Sequence, residues 1–233
     1  VFDPPVPEPA SVELPGRRLH RPGPDDLDAP RILQQMGKVY AQCKTYRDSA
    51  AVRIVFRPEG ERKWTKRVPF TTALVRPDRF RYECKERRGE EEFDRCLVWR
   101  KGEEVRSWWD VLPGIGEGSL SSALARAGAL TLGWDRTIPD LLLPEELPGV
   151  RVTNLTDAVR MQDEEVDGSP CFVVQGRHLA ESLTLWIDQA SFLLRRIDSV
   201  FDSSETTTTY EPVVDEEIPE SLLVFDPPAA EGR

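Results

Sequence analysis

Two hydrophobic periods organise the chain. Over "DAPRILQQMGKVYAQCKTY" the apolar residues Ile32, Met36, Val39, Tyr40 and Cys43 return at helical spacing and make one face. Asp28 stands where an N-cap belongs, and Pro30 falls in the first turn, where its missing N–H costs nothing. The pattern predicts a helix over 29–43. From Tyr46 onward the period falls to two. "AVRIVF" sets Val52, Ile54 and Phe56 against Arg53, Val55 and Arg57, and "RFRYECKER" sets Phe80, Tyr82 and Cys84 against Arg79, Arg81 and Glu83. Further runs, "FDRCLVWR", "EVRSWWDV", "CFVVQGR", "LTLWIDQ", "FLLRRIDSVF" and "ETTTTYEPV", are strand-like. Turn signals such as "RPEGE", "RRGEE", "RKGEE" and "VDGSP" separate them. Short strands joined by tight turns predict an antiparallel meander with one buried face, hence an α+β fold.

One stretch interrupts the meander. "GIGEGSLSSALARAGALTLGWDRTIPDLLLPEELPG" holds two helix-compatible segments. The first, "SLSSALARAGAL", is rich in small residues and bears the single charge of Arg126. The second, "TIPDLLL", opens with a capping-box pattern from Thr137 to Asp140. Segments so weakly charged must cover something apolar, either as a plug on an ordinary core or as a movable lid over a cavity. Gly114, Gly116, Gly118 and Gly133 bound the insert Gly114–Leu143, and "GIGEG" reads as a hinge loop.

Residues 1–26 carry seven prolines and no apolar period, which predicts an extended linker. The domain then runs over 27–228, with 229–233 as a tail. The pentapeptide "VFDPP" occurs at Val1–Pro5 and again at Val224–Pro228. If the domain ends in this motif, the first copy reads as the tail of a preceding unit, with chance recurrence in a chain of 20 prolines as the alternative.

Composition narrows the function. Of 233 residues 39% are apolar and 31% charged, with a net charge of −10, which argues against nucleic acid as a partner. No apolar run approaches the ~20 residues that span a bilayer. With two histidines and no CxxC, zinc has too few suitably spaced ligands. "GIGEG" lacks the residues of a phosphate loop, and the nearness of His178 and Ser182 in sequence is a weak catalytic signal. No cofactor is expected.

The four cysteines say more. A hairpin turning near Gly89–Glu91 sets Cys84 opposite Cys96, Tyr82 opposite Val98 and Phe80 opposite Arg100. Opposed residues lie within disulfide reach, so Cys84–Cys96 is one expected bridge, with a buried reduced pair as its alternative. Cys43 and Cys171 then remain as a second candidate. Two bridges would place the protein outside the reducing cytosol.

Several segments, in order, carry a resemblance. They are "YAQCKTYRD" (Tyr40–Asp48), the strand entry "VRPDRFR" (Val75–Arg81), a Trp-bearing strand before the helical insert, and "DGSPCFVVQG" (Asp167–Gly176). "LWIDQASFLLRRID" (Leu185–Asp198) and the ending from Thr206 to Pro228 complete the series. Together they resemble the LolA-like lipoprotein-sorting superfamily over about residues 29–228. The resemblance implies a curved, unclosed antiparallel sheet, a half-barrel with helices in its mouth. It implies a non-enzymatic, periplasmic or otherwise exported protein whose apolar concavity holds a lipid or lipoprotein acyl chain, touching membranes only transiently. The residues expected to line the concavity are Phe56, Phe80, Tyr82, Val98, Trp109, Leu120, Leu124, Leu141 and Leu142, each also compatible with ordinary core packing. A second reading is an envelope module of the same fold that binds another protein and has a filled cavity.

Overall fold

The computed structural model describes residues 18–20, 27–57, 62–87, 93–110, 112–128, 133, 136–147, 149, 151–201 and 204–227. The elements are α1 (Ala29–Gln42), β1 (Thr45–Phe56), β2 (Trp64–Val75), β3 (Arg79–Arg87), β4 (Phe93–Lys101), β5 (Glu104–Trp109) and β6 (Leu112–Glu117). Then come α2 (Leu120–Ala127), α3 (Thr137–Leu142), β7 (Thr156–Val166), β8 (Ser169–His178), β9 (Glu181–Asp188), β10 (Leu194–Phe201), β11 (Ser204–Tyr210) and β12 (Val213–Val214). A 3-10 turn at Glu220–Leu223 follows.

The strands form one antiparallel sheet, ordered β6-β5-β4-β3-β2-β1-β11-β10-β9-β8-β7, with β12 also pairing β1. It is open, with β6 and β7 as its edges. Laid flat, the six spacings from β7 to β2 would cover about 29 Å at ~4.8 Å each, more than the ~21 Å length of a fourteen-residue helix. Yet α1 packs on β7, accepts the Leu194 N–H of β10 at its Tyr40 hydroxyl, and is held at its C-terminus by Arg76, beside β2. The sheet therefore curls round α1 as a half-barrel.

Alternation assigns the faces. Tyr46, Val52, Ile54, Phe70, Leu74, Phe80, Tyr82, Val98, Leu185 and Ile197 point inward and join the helices in one contiguous core. Met161, Cys171, Val173 and Trp186 make a smaller cluster of their own. Since Val174 on β8 joins the main core and its neighbours Val173 and Cys171 do not, that cluster lies on the convex face.

The helix over 29–43 is α1, capped by Asp28, whose carboxylate accepts the Arg31 N–H at 2.9 Å, with Cys43 as its C-cap. The β3–β4 register pairs Cys84 with Cys96, Tyr82 with Val98 and Phe80 with Arg100, as the turn position predicts. Other expectations are corrected. "GIGEG" is no hinge loop, because its first four residues lie in edge strand β6. The expected Thr137 cap is absent: Arg136 precedes the helix and salt-bridges Asp140 at 3.1 Å, with Thr137 already inside. Within the stretch read as a linker, Leu19 bridges Met161 on the outer edge of β7, and Arg18 O accepts the Gln162 N–H at 2.8 Å. Val1–Pro5 lies outside the described residues.

The disulfide expectation fails. All four cysteines are buried and no disulfide joins any of them. Cys84 and Cys96 do face each other, but as thiols. A Cys43–Cys171 bridge is ruled out by the sheet itself, since Cys43 packs in the concave core and Cys171 on the convex face. Their S–H groups donate instead to Tyr40 O and Ser169 O. With the bridges goes the cysteine-based case for an oxidising compartment.

Candidate functional site

The concave face and its helical cover bring the expected residues together. Phe80, Tyr82 and Val98 on β3 and β4 are fully buried, as are Leu124 and Leu142. Leu120 and Leu141 keep no more than 5% of their surface. Trp109 is half-buried against the same core. Phe56, at the end of β1, is partly buried against that core too and stacks on the half-exposed Trp64 with centroids 4.0 Å apart. The concavity is thus occupied by the protein's own side chains.

The two insert helices are held differently. Around α3, three arginines donate to backbone carbonyls. Arg76 reaches Leu142 O (2.6 Å), Tyr40 O and Cys43 O, joining the C-terminal ends of α1 and α3. Arg100, itself buried, donates to Asp78 O and Pro77 O and pairs with Glu146. Arg151 donates to Asp140 O and Pro144 O. Helix-terminal carbonyls need such donors, so α3 is pegged at its C-terminal side.

By contrast, α2 rests on β4 and β5 through Leu120, Ala123, Leu124 and Ala127. Its Arg126 donates to Ser107 Oγ on β5 at 2.7 Å. The chain enters α2 through Gly118, at φ +147°, and Gly133, at φ +85°, lies on its far side. Both conformations suit glycine, and neither residue has a neighbour where a Cβ would stand. Gly116 on β6 does have neighbours: a Cβ there would come within 2.7 Å of both Arg126 Nη2 and Ser107 Oγ.

Under α2 lies a cavity of about 150 Å³, lined by Cys96, Ser107, Trp108, Trp109, Ile115, Gly116, Ala123 and Arg126. The β5–β6 register shifts between Trp108 and Trp109, which lets both tryptophans reach it. Sequence reasoning named Trp109 and missed Ser107, Arg126 and Ile115, since only the fold sets them against one another.

The concave face also holds a polar cluster beneath α1. Asp48 accepts the Thr72 N–H at 2.7 Å and the Tyr46 hydroxyl at 3.0 Å. Burial pushes its carboxyl up to about 7. Burial likewise drives the hydroxyls of Tyr40, Tyr46 and Tyr210 well above their ordinary range, so all three stay neutral. Among the described residues, no group of three or more His, Cys, Asp or Glu is placed to hold a metal. No helix among them is long and apolar enough to cross a membrane.

No family model matches the chain, and no curated protein matches it. Among solved structures it is similar to lipoprotein LppX of Mycobacterium tuberculosis, at 14% identity over 82% of this chain and 97% of that one, with a TM-score of 0.48. LprF of Mycobacterium bovis is similar at 10% identity over 82% and 94%, with a TM-score of 0.43. A LolA superfamily protein of Nitrosomonas europaea is similar at 11% identity over 86% and 99%, with a TM-score of 0.36. The likeness is one of fold.

Proposed function

We propose that this protein is a non-enzymatic binding module of the bacterial envelope that takes a lipid or lipoprotein acyl chain under α2. The observation that carries the reading is the unequal fastening of the cover. Among the described residues, three arginines peg the α3 side, whereas one Arg126–Ser107 hydrogen bond and an apolar face hold α2 above an existing cavity. Small-ligand sites begin near ~300 Å³, so a space of about 150 Å³ becomes a binding site when α2 lifts and uncovers Leu120, Leu124, Phe80 and Val98. The sequence resemblance points the same way, and the envelope location rests on it.

The test is direct. Protein purified from a bacterial host and examined by native mass spectrometry should carry co-purified lipid or bind a fluorescent fatty acid stoichiometrically. Leu124→Glu would abolish that binding, because a buried unpaired carboxylate costs several kcal/mol. Leu124→Ala would weaken it while the fold survives, at about 2–5 kcal/mol of stability.

The filled concavity favours a second reading, in which the same fold binds another envelope protein and its core never opens. Wild-type protein that binds neither probe nor lipid, with both variants losing only stability, would select this reading over the carrier.

A further inference from the structure

The convex face of β3–β5 carries a built seat for the pentapeptide that ends the domain. Trp99 Nε1 donates to Leu223 O at 2.7 Å, and Arg81 Nε donates to Val224 O at 2.9 Å. The Phe225 ring lies 6.0 Å from the Trp99 ring, with the Arg106 guanidinium 5.8 Å from both centroids. Asp226 accepts from Arg81 at 3.0 Å and Arg95 at 3.1 Å, while its carbonyl accepts a further Arg95 N–H. Both arginines are pre-set by Glu83, which bonds Arg95 at 2.6 Å and Arg81 at 2.7 Å. These partners hold the Glu83 and Asp226 carboxyls below the usual carboxylate range, against the desolvation that raises both. The seat thus reads a carbonyl, an aromatic ring and a carboxylate on three successive residues, Val-Phe-Asp.

The same residues in the same order stand at Val1–Asp3, again followed by two prolines. We propose that the Arg81–Arg95–Trp99–Arg106 seat is a recognition site for Val-Phe-Asp, and that Val1–Pro5 of a second copy of this chain is its partner in trans, linking copies through arm and seat. A second copy fits better than the same chain. Arg18 is fixed on the edge of β7, and β3 lies seven strand spacings away, about 34 Å along the sheet at ~4.8 Å each and farther over the convex side. The thirteen-residue step from Pro5 to Arg18 spans roughly 40 Å only when nearly straight. The contact joins unlike surfaces of two copies, so it closes as a reciprocal pair or a ring, or propagates where neither closes. In one chain the C-terminal copy holds the seat by its tethered effective concentration, so trans pairing sets in when that copy lets go.

The experiment empties the seat. Phe225 is half-buried and Asp226 exposed at the chain's periphery, so the Phe225→Ala/Asp226→Ala double variant should keep the fold, as checked by its thermal melt. A synthetic peptide of residues 1–10 is then titrated calorimetrically. It should bind the variant one to one and at least tenfold more tightly than it binds wild type. Phe2→Ala or Asp3→Ala in the peptide should cost at least tenfold. In sedimentation the full-length variant should self-associate and return to monomer when residues 1–5 are removed. A folded variant that ignores the peptide, or binds it regardless of Phe2 and Asp3, overturns the proposal. Should the double variant unfold, Asp226→Ala alone takes its place, and the same two results support or overturn the proposal.

Discussion

Cys84 stands directly across from Cys96 in the β3–β4 register, and the two remain thiols in the buried core. Opposed strand residues lie within bridging distance, whereas Cys43 and Cys171 have the sheet between them. Native-state oxidation followed by non-reducing peptide mapping should therefore yield Cys84–Cys96 as the intramolecular link. Burial raises the Cys43 thiol, and burial together with Asp188 pushes Cys171 up to about 11, so both should react slowly until the protein unfolds. A recovered Cys43–Cys171 peptide would contradict the face assignment of β8.

Asp48 makes stability depend on pH in an unusual sense. Its carboxyl titrates at about 7 in the fold and near 3.9 in the unfolded chain. Between those values the unfolded state has released a proton that the folded state keeps, so stability falls as pH rises from ~4 to ~7. The loss is roughly 4 kcal/mol at about 1.4 kcal/mol per unit. Asp48→Asn keeps an oxygen for the Thr72 N–H and a polar group for Tyr46. It should flatten this slope and leave the variant more stable than wild type at pH 8, read from urea midpoints across pH. A wild-type midpoint that rises over that window would refute the assignment.

The Arg126–Ser107 bond is a polar latch on α2. Arg126→Ala should speed uptake of a fluorescent fatty acid several-fold in stopped-flow while changing the melting temperature little, because the lost bond contributes only about 1 kcal/mol. Gly116→Ala pushes a methyl against both latch partners and should act in the same direction. Unchanged uptake in both variants would mean that α2 does not gate the cavity.

Deletion separates two parts of the N-terminal stretch. Removing residues 1–17 should leave the unfolding midpoint within experimental scatter. Extending the deletion through residue 20 also removes the Arg18–Gln162 and His20–Arg160 backbone bonds and bares the β7 edge. That longer deletion should lower the midpoint and raise amide exchange along β7. Equal effects of the two deletions would show that the Leu19 bridge contributes nothing.

The sequence exposed what depends on local pattern. The α1 face and its Asp28 cap, and the β3–β4 register, follow from spacing and turn position alone. Strands β2, β6 and β7 were not legible. Pro69 interrupts β2, Pro113 and two glycines disguise β6, and "AVRMQDEEV" in β7 alternates weakly because register shifts against β8 break its two-residue period. The lining residues were legible as apolar positions. Their closure against one another was not, nor was the difference between a pegged α3 and a latched α2, because Arg76, Arg100, Arg151 and Arg126 look alike until the fold gives each a partner.

The strand order has a consequence for biosynthesis. Strands β1–β6 form one continuous meander and β7–β11 another, and the two meet along a single seam where Ala50 pairs with Tyr210. As the chain leaves the ribosome, the first meander can pair internally at once. The β1 edge must wait unpartnered until more than a hundred further residues have been made. Loops of that length are slow to close, so the seam is the last part of the sheet to form. Until then β1, one face of which becomes the core, is a bare edge open to pairing with another nascent chain. A holding chaperone would act at β1, and a substitution that weakens the seam would lower the yield of folded protein more than its effect on final stability suggests.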